Sequence, residues 1–334
     1  MKYKVCIIIP IYNVAQYIER CVRSIFLQSF NNIQYIFVND CTNDNSMEIL
    51  GKIIEEFASR KKDVTIINHE KNRGLAAARM TGLAQVDAEY VLNIDSDDFV
   101  EQNMVELMYN KAVETNADIT ICDFVMDWGK VKKIAPQIYS SNNEEYTKLL
   151  LAGNVLPGVC NKLIRCSLYK DHNIYPVEGI NMAEDYATTP RLAYYSKKNA
   201  KVDLPLYHYV RTNINSYTVS FSEKSSMNIV DAINVLNDFF TKIPDAAYYN
   251  KSLLEGKLRK KISLLMESES KIRRNFANLF PETHNIYSEV NLKIEEQISL
   301  FLADKKLFNT LNLYIYIYWN LLEFIQIIKG RRRQ

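Results

Sequence analysis

No C-x-x-C pair occurs among the six cysteines of this 334-residue chain, Cys6, Cys21, Cys41, Cys122, Cys160 and Cys166. That spacing argues against a zinc ribbon or a redox dithiol and leaves scattered, reduced, buried thiols as the expectation. Neither sign of charge dominates: Lys and Arg number 41 and Asp and Glu 39, a formal net charge of +2. A nucleic-acid surface over the whole chain is therefore excluded, and any basic patch is local. The opening Met1-Lys2-Tyr3-Lys4 leads into Val5-Cys6-Ile7-Ile8-Ile9, too short a run for a secretory h-region and without a small-residue cleavage site. A cytoplasmic protein is expected. The sequence also lacks internal repeats, low-complexity tracts and a Gly-rich basic loop after the first apolar run.

What is present is an average globular composition, 48% hydrophobic and 24% charged, with 22 tyrosines, many of them in the C-terminal half. That suits one large α/β domain with an appendage, or two ordinary domains. Short β-branched or aromatic runs at 5–10, 34–39, 64–68, 90–94 and 118–124 read as strands. Between them, 15–28, 46–60, 75–86 and 102–115 carry apolar residues at helical spacing. Strand and helix in repeated alternation predict an α/β fold with a mostly parallel sheet, flanking helices and ligands at the carboxyl ends of the strands. From 125 to 220 the pattern loosens to a hairpin at 128–137, helices at 144–153 and 184–196, and a last strand at 201–209. Beyond 222 it is helical, with basic clusters at Lys257, Arg259, Lys260, Lys261 and at Lys271, Arg273, Arg274.

The strand ends are acidic. Asp40 and Asp44 follow the second strand, and Asp95-Ser96-Asp97-Asp98 follows the fourth. Neighbouring carboxylates repel unless a cation or a hydrogen-bond donor lies among them. Hard Mg²⁺ or Mn²⁺ takes carboxylate oxygens, water and substrate phosphates, so a cation bridging a diphosphate is one reading. On an extended segment Asp95 and Asp97 would face one side. The plain alternative is an acidic turn that caps the helix starting near Glu101.

Four motifs in order, Pro10-Ile11-Tyr12-Asn13, Val38-Asn39-Asp40-Cys41-Thr42-Asn43-Asp44-Asn45-Ser46, Asn72-Arg73-Gly74-Leu75-Ala76-Ala77-Ala78-Arg79 and Asp95-Ser96-Asp97-Asp98, resemble glycosyltransferase family 2. The resemblance is close over 4–125 and looser over 155–218. It implies the GT-A fold, a nucleotide-diphosphosugar donor and inversion at the anomeric centre. Pro10, Tyr12 and Asp40 would line the base pocket with help from Arg79. Asp95 would meet the ribose, Ser96 would lie in the same donor site, and Asp97 would ligate Mn²⁺ or Mg²⁺ with Asp98 in support. Two departures stand out: Asn39-Asp40-Cys41-Thr42 replaces the usual Asp-Asp-Gly-Ser, and Arg79-Met80 replaces Arg-Asn.

Ala183-Glu184-Asp185-Tyr186 resembles the family's Glu-Asp motif, which implies Asp185 as the catalytic base with Glu184 orienting it. A sugar hydroxyl needs a positioned carboxylate to accept its proton, whereas outside that context the pair reads as the acidic first turn of a helix. Tyr207-His208-Tyr209-Val210-Arg211 with Asn215-Ser216-Tyr217-Thr218 looks like the segment that closes the donor site in relatives. His208 would complete the metal shell and Arg211 would hold the diphosphate, although a histidine at a strand end is also an ordinary hydrogen-bonded residue. Asn161-Lys162-Leu163 resembles a further family segment, placing Lys162 beside the acceptor groove or, more simply, in solvent.

Residues 311–328 form an aromatic-rich apolar helix with Asn312, Asn320, Glu323 and Gln326 along one edge, followed by Lys329-Gly330-Arg331-Arg332-Arg333. It is too short and polar for a bilayer span, which needs about 20 predominantly apolar residues. One reading is a helix at the inner membrane interface, near a lipid-linked acceptor. The other is packing against the catalytic domain or a second subunit, and the oligomeric state stays open. The expected organisation is a catalytic domain at 1–220, with a donor half at about 1–125 and an acceptor half at about 126–220, and a helical region at 221–334. The expected function is metal-dependent, inverting transfer of a hexosyl or N-acetylhexosaminyl group from a uridine-linked donor to a glycan or lipid-linked oligosaccharide. The alternatives are a nucleotide-sugar-binding scaffold without turnover, or a nucleotidyltransferase, which the lack of a Gly-rich triphosphate loop disfavours.

Overall fold

The computed structural model describes residues 1–213 and 222–328, with side chains as far as residue 324. The chain divides into two compact units, Met1–Leu150 with Asn154–Asn215, and Leu151–Gly153 with Ser216–Gln334.

The first unit runs β1 (Tyr3–Ile11), α1 (Ile18–Phe26), β2 (Ile33–Asn39), α2 (Ser46–Glu56), α3 (Ala58–Lys61), β3 (Val64–Asn68), α4 (Leu75–Ala84), β4 (Ala88–Asn93), β5 (Phe99–Val100), α5 (Met104–Thr115), β6 (Ile119–Asp127), β7 (Lys132–Ala135), α6 (Asn143–Leu151), β8 (Lys162–Arg165), α7 (Cys166–Lys170), α8 (Glu184–Tyr195) and β9 (Asn199–Val210). One sheet carries them in the order β3-β2-β1-β4-β8-β6-β9-β5, with β7 paired to β6. The parallel arrangement holds across β3, β2, β1 and β4. Past β4 the sheet turns mixed: β8 is antiparallel to both β4 and β6, β9 is parallel to β6, and β5 is antiparallel to β9.

The near-continuous apolar run of β1 follows from its burial on both faces of the sheet, the usual state of a central parallel strand. The run of small residues in α4 follows from how closely that helix lies on β1. A Cβ added at Gly82 would come within 2.5 Å of Ile8 Cγ2. The single helix expected at 46–60 is broken at Phe57, which leaves helical geometry with φ −100° and ψ 54° and packs its ring on Phe26 at 5.5 Å.

The second unit is helical, with α9 (Glu223–Phe240), α10 (Ala246–Glu267), α11 (Arg273–Ala277), a 3-10 turn at Pro281–Ile286, α12 (Ile294–Asp304) and α13 (Phe308–Ile328). Three of its basic residues are buried rather than solvated: Lys257 bonds Asn237 and Glu282, Lys261 reaches the Tyr287 hydroxyl, and Arg273 bonds Asn312. Helix α13 buries Leu311 and Ile315, donates from Trp319 Nε1 to the Met266 carbonyl, and presents Asn312 to Arg273. Asn312 is therefore not on a wet edge. The opposite face exposes Leu313, Tyr316, Ile317, Leu321 and Phe324. Among the described residues no helix is long and apolar enough to cross a membrane.

Candidate active site

The candidate residues Pro10, Tyr12, Asp40 and Asp95–Asp98 lie at the carboxyl ends of β1, β2 and β4, and the acidic ones fall into two kinds. After β2 the carboxylates are saturated with donors. Asp40, 3% exposed, accepts from the backbone N–H of Arg73 at 2.8 Å and of Gly74 at 2.7 Å, and pairs with His69 Nδ1 at 2.7 Å. His69 in turn meets Thr81 Oγ1 on α4 at 2.9 Å. Asp40 thus fixes the loop that launches α4, and Gly74 belongs there because its φ of +90° is open to glycine and a Cβ would strike the Asn181 side chain.

Asp44 does the same for the neighbouring turn, accepting from Ala15 N, Thr42 Oγ1, Ser46 N and Ser46 Oγ. Burial alone would raise its carboxyl, but the bonds from Ser46, Ala15 and Thr42 outweigh that and hold it below the ordinary range. Sequence reasoning placed Asp44 at the strand end without a role and passed over His69, although an Asp-x-Ser turn just before a helix signals the role of the first. Pro10 is buried at the end of β1, and Tyr12, 38% exposed, stands just beyond it. Cys41 occupies the left-handed region at φ +59°, the conformation that suits the family's glycine at that position.

After β4 the carboxylates crowd one another. The segment is a turn closed by the Asp98 N–H on the Asp95 carbonyl, not the extended run that would point Asp95 and Asp97 to one side. Asp95 accepts from Arg79 Nη2 at 2.5 Å. Asp97 accepts from Asn213 Nδ2 at 2.8 Å. Asp98 accepts from the Tyr207 hydroxyl and the Val210 N–H, both at 2.7 Å, and is fully enclosed. Ser96 is buried between them. Burial and the Asp95 charge push Asp97 above the usual carboxylate range, with the Asn213 bond opposing, and burial with Asp97 and Asp95 pushes Asp98 further up.

Arg79 crosses from this turn to α8. Its Nη1 donates to Glu184 Oε1 while its Nη2 holds Asp95, so one buried guanidinium ties the two acidic motifs together. Burial and the adjacent Asp185 charge push Glu184 up, against the pull of Arg79. Asp185, in the first turn of α8, accepts from the Tyr186 N–H at 2.7 Å, and its second oxygen lies 3.8 Å from where a Gly158 Cβ would sit. The Asn181 side chain accepts from the Ala76 N–H at 3.2 Å, joining the start of α4 to the approach to α8.

His208 is not brought to Asp97. Alternation along β9 turns Tyr207 toward Asp98 and His208 to the opposite face. There His208 stacks on Phe99 at 4.1 Å and pairs with Glu101 at 2.6 Å. The residues that do reach the acidic turn are Tyr207 of β9 and Asn213 just beyond it; sequence reasoning gave neither a role, although the same alternation selects between Tyr207 and His208. Arg211 is exposed, its guanidinium 5.5 Å from the Tyr209 ring. The segment Asn215-Ser216-Tyr217-Thr218 lies outside the described residues. Lys162 is buried, not solvated: its Nζ bonds the carbonyls of Leu156 and Gly158 and Asn161 Oδ1. Burial pulls its ammonium down to about 8, with the Cys160 and Asp185 charges opposing.

The donor set also speaks to a metal. Among the described residues no three carboxylate, imidazole or thiolate groups converge on one point, so the chain offers no all-protein cage. The cation nearest the cluster, Arg79, is committed to Asp95 and Glu184. Asp97 is met by the Asn213 amide and its own backbone N–H, with no cation bound to it directly, and burial with the Asp95 charge still pushes it up. That fits a Mg²⁺ or Mn²⁺ ion completed by phosphate and water.

The model of "Glycosyl transferase family 2" matches residues 6–172. EpsH of Bacillus subtilis, provisionally a glycosyltransferase, is 31% identical over 227 residues, which are 66% of this chain and 64% of that protein. The chain thus spans less than two thirds of that relative. TarP of Staphylococcus aureus, a poly(ribitol-phosphate) β-N-acetylglucosaminyltransferase, is 25% identical over 91% of this chain and 99% of its own length. Among solved structures, S. aureus TarS 1–349 in complex with UDP superposes with a TM-score of 0.70 at 18% identity, covering 95% of this chain and 91% of that one. At that identity the match establishes the GT-A type of fold.

Proposed function

The chain belongs to glycosyltransferase family 2, and from that premise we propose that it transfers a sugar from a uridine-linked nucleotide diphosphosugar to a hydroxyl of a surface glycan or lipid-linked oligosaccharide, with inversion. The observation that carries this reading is the ion-pair chain Glu184–Arg79–Asp95. It fixes the acidic start of α8 against the acidic strand-end turn, with the Asp185 charge near Glu184 and Arg79. The UDP bound by TarS, and the N-acetylglucosaminyl transfer in TarP's name, favour the uridine donor and an N-acetylhexosaminyl or hexosyl group.

In this reading Asp185 accepts the proton of the acceptor hydroxyl as that oxygen attacks the anomeric carbon, and the nucleoside diphosphate leaves from the opposite side. No side chain is assigned as a covalent nucleophile, so a single displacement inverts the centre. A Mg²⁺ or Mn²⁺ ion held by Asp97 would supply charge neutralisation for the departing diphosphate. Asp98 braces that turn through Tyr207 and Val210, and Ser96 and Asp95 border the ribose. Asp40 shapes the base pocket indirectly through the 69–74 loop, with Pro10 and Tyr12 at its edge, and Arg211 awaits the diphosphate from solvent. His208 is left out of the metal shell because Glu101 and Phe99 hold it. The donor half is assigned to about 1–125 and the acceptor half to about 126–220. The exposed apolar face of α13, with the basic residues that follow it in sequence, is assigned to the inner membrane interface, which vesicle co-sedimentation with anionic lipid tests.

Asp185→Asn tests the assignment of the base. Sugar transfer should fall about 10²- to 10⁴-fold while nucleoside diphosphate affinity stays within about twofold. Equal loss of both removes Asp185 from the role.

A further inference from the structure

Lys162 performs no step in the reaction above, yet it is 1% exposed and directs its ammonium at three neutral oxygens: the Leu156 carbonyl at 3.1 Å, the Gly158 carbonyl at 2.6 Å and Asn161 Oδ1 at 2.9 Å. A buried ammonium is costly unless its hydrogen bonds are filled. Here the bonds are spent on two carbonyls of one loop. The third carbonyl of that loop, Pro157, is held from the other side by Thr189 Oγ1 on α8 at 2.6 Å. All three consecutive carbonyls are thereby captured by side chains, two from β8 and one from the helix that begins with Glu184 and Asp185.

The anchor is itself rigid. Asn161 is fully buried and donates to the Cys122 carbonyl at 2.7 Å, and its own carbonyl accepts from the Cys122 N–H at 3.1 Å, so Lys162 springs from the middle of the sheet. The loop it grips ends beside the proposed base. From the position of a Gly158 Cβ, Asp185 Oδ2 and Cys160 Sγ are both 3.8 Å away.

We propose that Lys162 is a positioning residue, a buried clamp that, together with Thr189, holds the 156–158 loop as the wall against which Asp185 is set and past which the acceptor approaches. The inference rests on the reading of Asp185 as base for its catalytic consequence, but its structural part stands separately. A hydrocarbon in place of the ammonium frees the Leu156 and Gly158 carbonyls. The loop then leaves Asp185, and Cys160, 6% exposed beneath it, opens to solvent.

The test alkylates the full chain with iodoacetamide and reads each cysteine by peptide mass spectrometry. In Lys162→Met, Cys160 should label about tenfold faster than in the wild type, the size of effect expected when a local opening loses about one charged hydrogen bond. The fully buried Cys6 and Cys21 should keep their wild-type rates and so report that the fold is intact. Hydrolysis of UDP-N-acetylglucosamine, followed by UDP release, supplies the second readout: kcat should fall about tenfold with KM for the donor within about twofold, and Lys162→Arg should restore most of it. If Lys162→Met does not fold, Thr189→Val frees the Pro157 carbonyl alone and should show the same selective rise at Cys160, by about threefold. Unchanged Cys160 labelling, or labelling that rises in step with Cys6 and Cys21, overturns the clamp. Selective labelling in a protein whose hydrolysis is untouched by Asp185→Asn keeps the clamp and overturns instead the reading of the base.

Discussion

The loop after β2 and the turn after β4 are both acidic, both sit at strand ends, and are opposite in what they need. Around Asp40 and Asp44 every carboxylate oxygen meets N–H or O–H donors supplied by the chain. After β4, burial and the Asp95 charge push Asp97 up, burial with the Asp97 and Asp95 charges pushes Asp98 up, and the adjacent guanidinium is shared with Glu184 on another helix. The difference teaches that an acidic cluster is identified as structural or functional by its donors, not by its composition. The first region is complete as folded. The second is in deficit of positive charge.

The largest expected effect breaks the second region internally. Arg79→Met leaves Asp95 and Glu184 without their shared cation and should cost about 3–5 kcal/mol at neutral pH, measured by denaturant unfolding. The pH dependence has a defined sign. Glu184 is raised in the folded state, so the fold binds that proton more tightly than the unfolded chain does, and stability is lost as pH rises through the folded value. Removing Arg79 raises the group further. The share of the penalty that comes from Glu184 should therefore be flat below about pH 8, where the group is protonated in both folded proteins, and grow above it. A penalty independent of pH would mean that Arg79 acts by packing alone.

The next effect sets the two regions side by side. Asp40→Ala strips three donors of their acceptor and should destabilise the protein by about 2–3 kcal/mol whether or not Mn²⁺ is present. Asp97→Ala removes one amide bond but relieves repulsion from Asp95, and should change the stability of the ligand-free chain by less than about 1 kcal/mol. Equal destabilisation by both would erase the distinction. The smallest effect concerns Cys41. Glycine there removes a left-handed strain of about 1–2 kcal/mol but adds unfolded-state entropy, so Cys41→Gly should stabilise by about 1 kcal/mol or less in a thermal melt.

Much of the fold was legible because the parallel strands are continuous apolar runs and the helices keep their spacing. Strands β5 and β8 were not, since two and four residues are too few to show a period. Within the site, residue types were legible and directions were not. His208 carries metal-binding chemistry, but the pleat of β9 aims Tyr207 at Asp98 instead. Lys162 reads as a surface residue, and only the captured carbonyls reveal why it is buried.

Thermal unfolding of the intact chain with a panel of nucleoside diphosphates, with and without Mn²⁺, on wild type and Asp97→Ala, tests most directly the claim that the turn after β4 lacks a cation. At a nucleotide concentration of about 100 times Kd, one diphosphate should stabilise the wild type by about 2.7 kcal/mol with Mn²⁺, far less without it, and not in Asp97→Ala. A shift that is the same with and without Mn²⁺, or that survives in Asp97→Ala, would contradict the account.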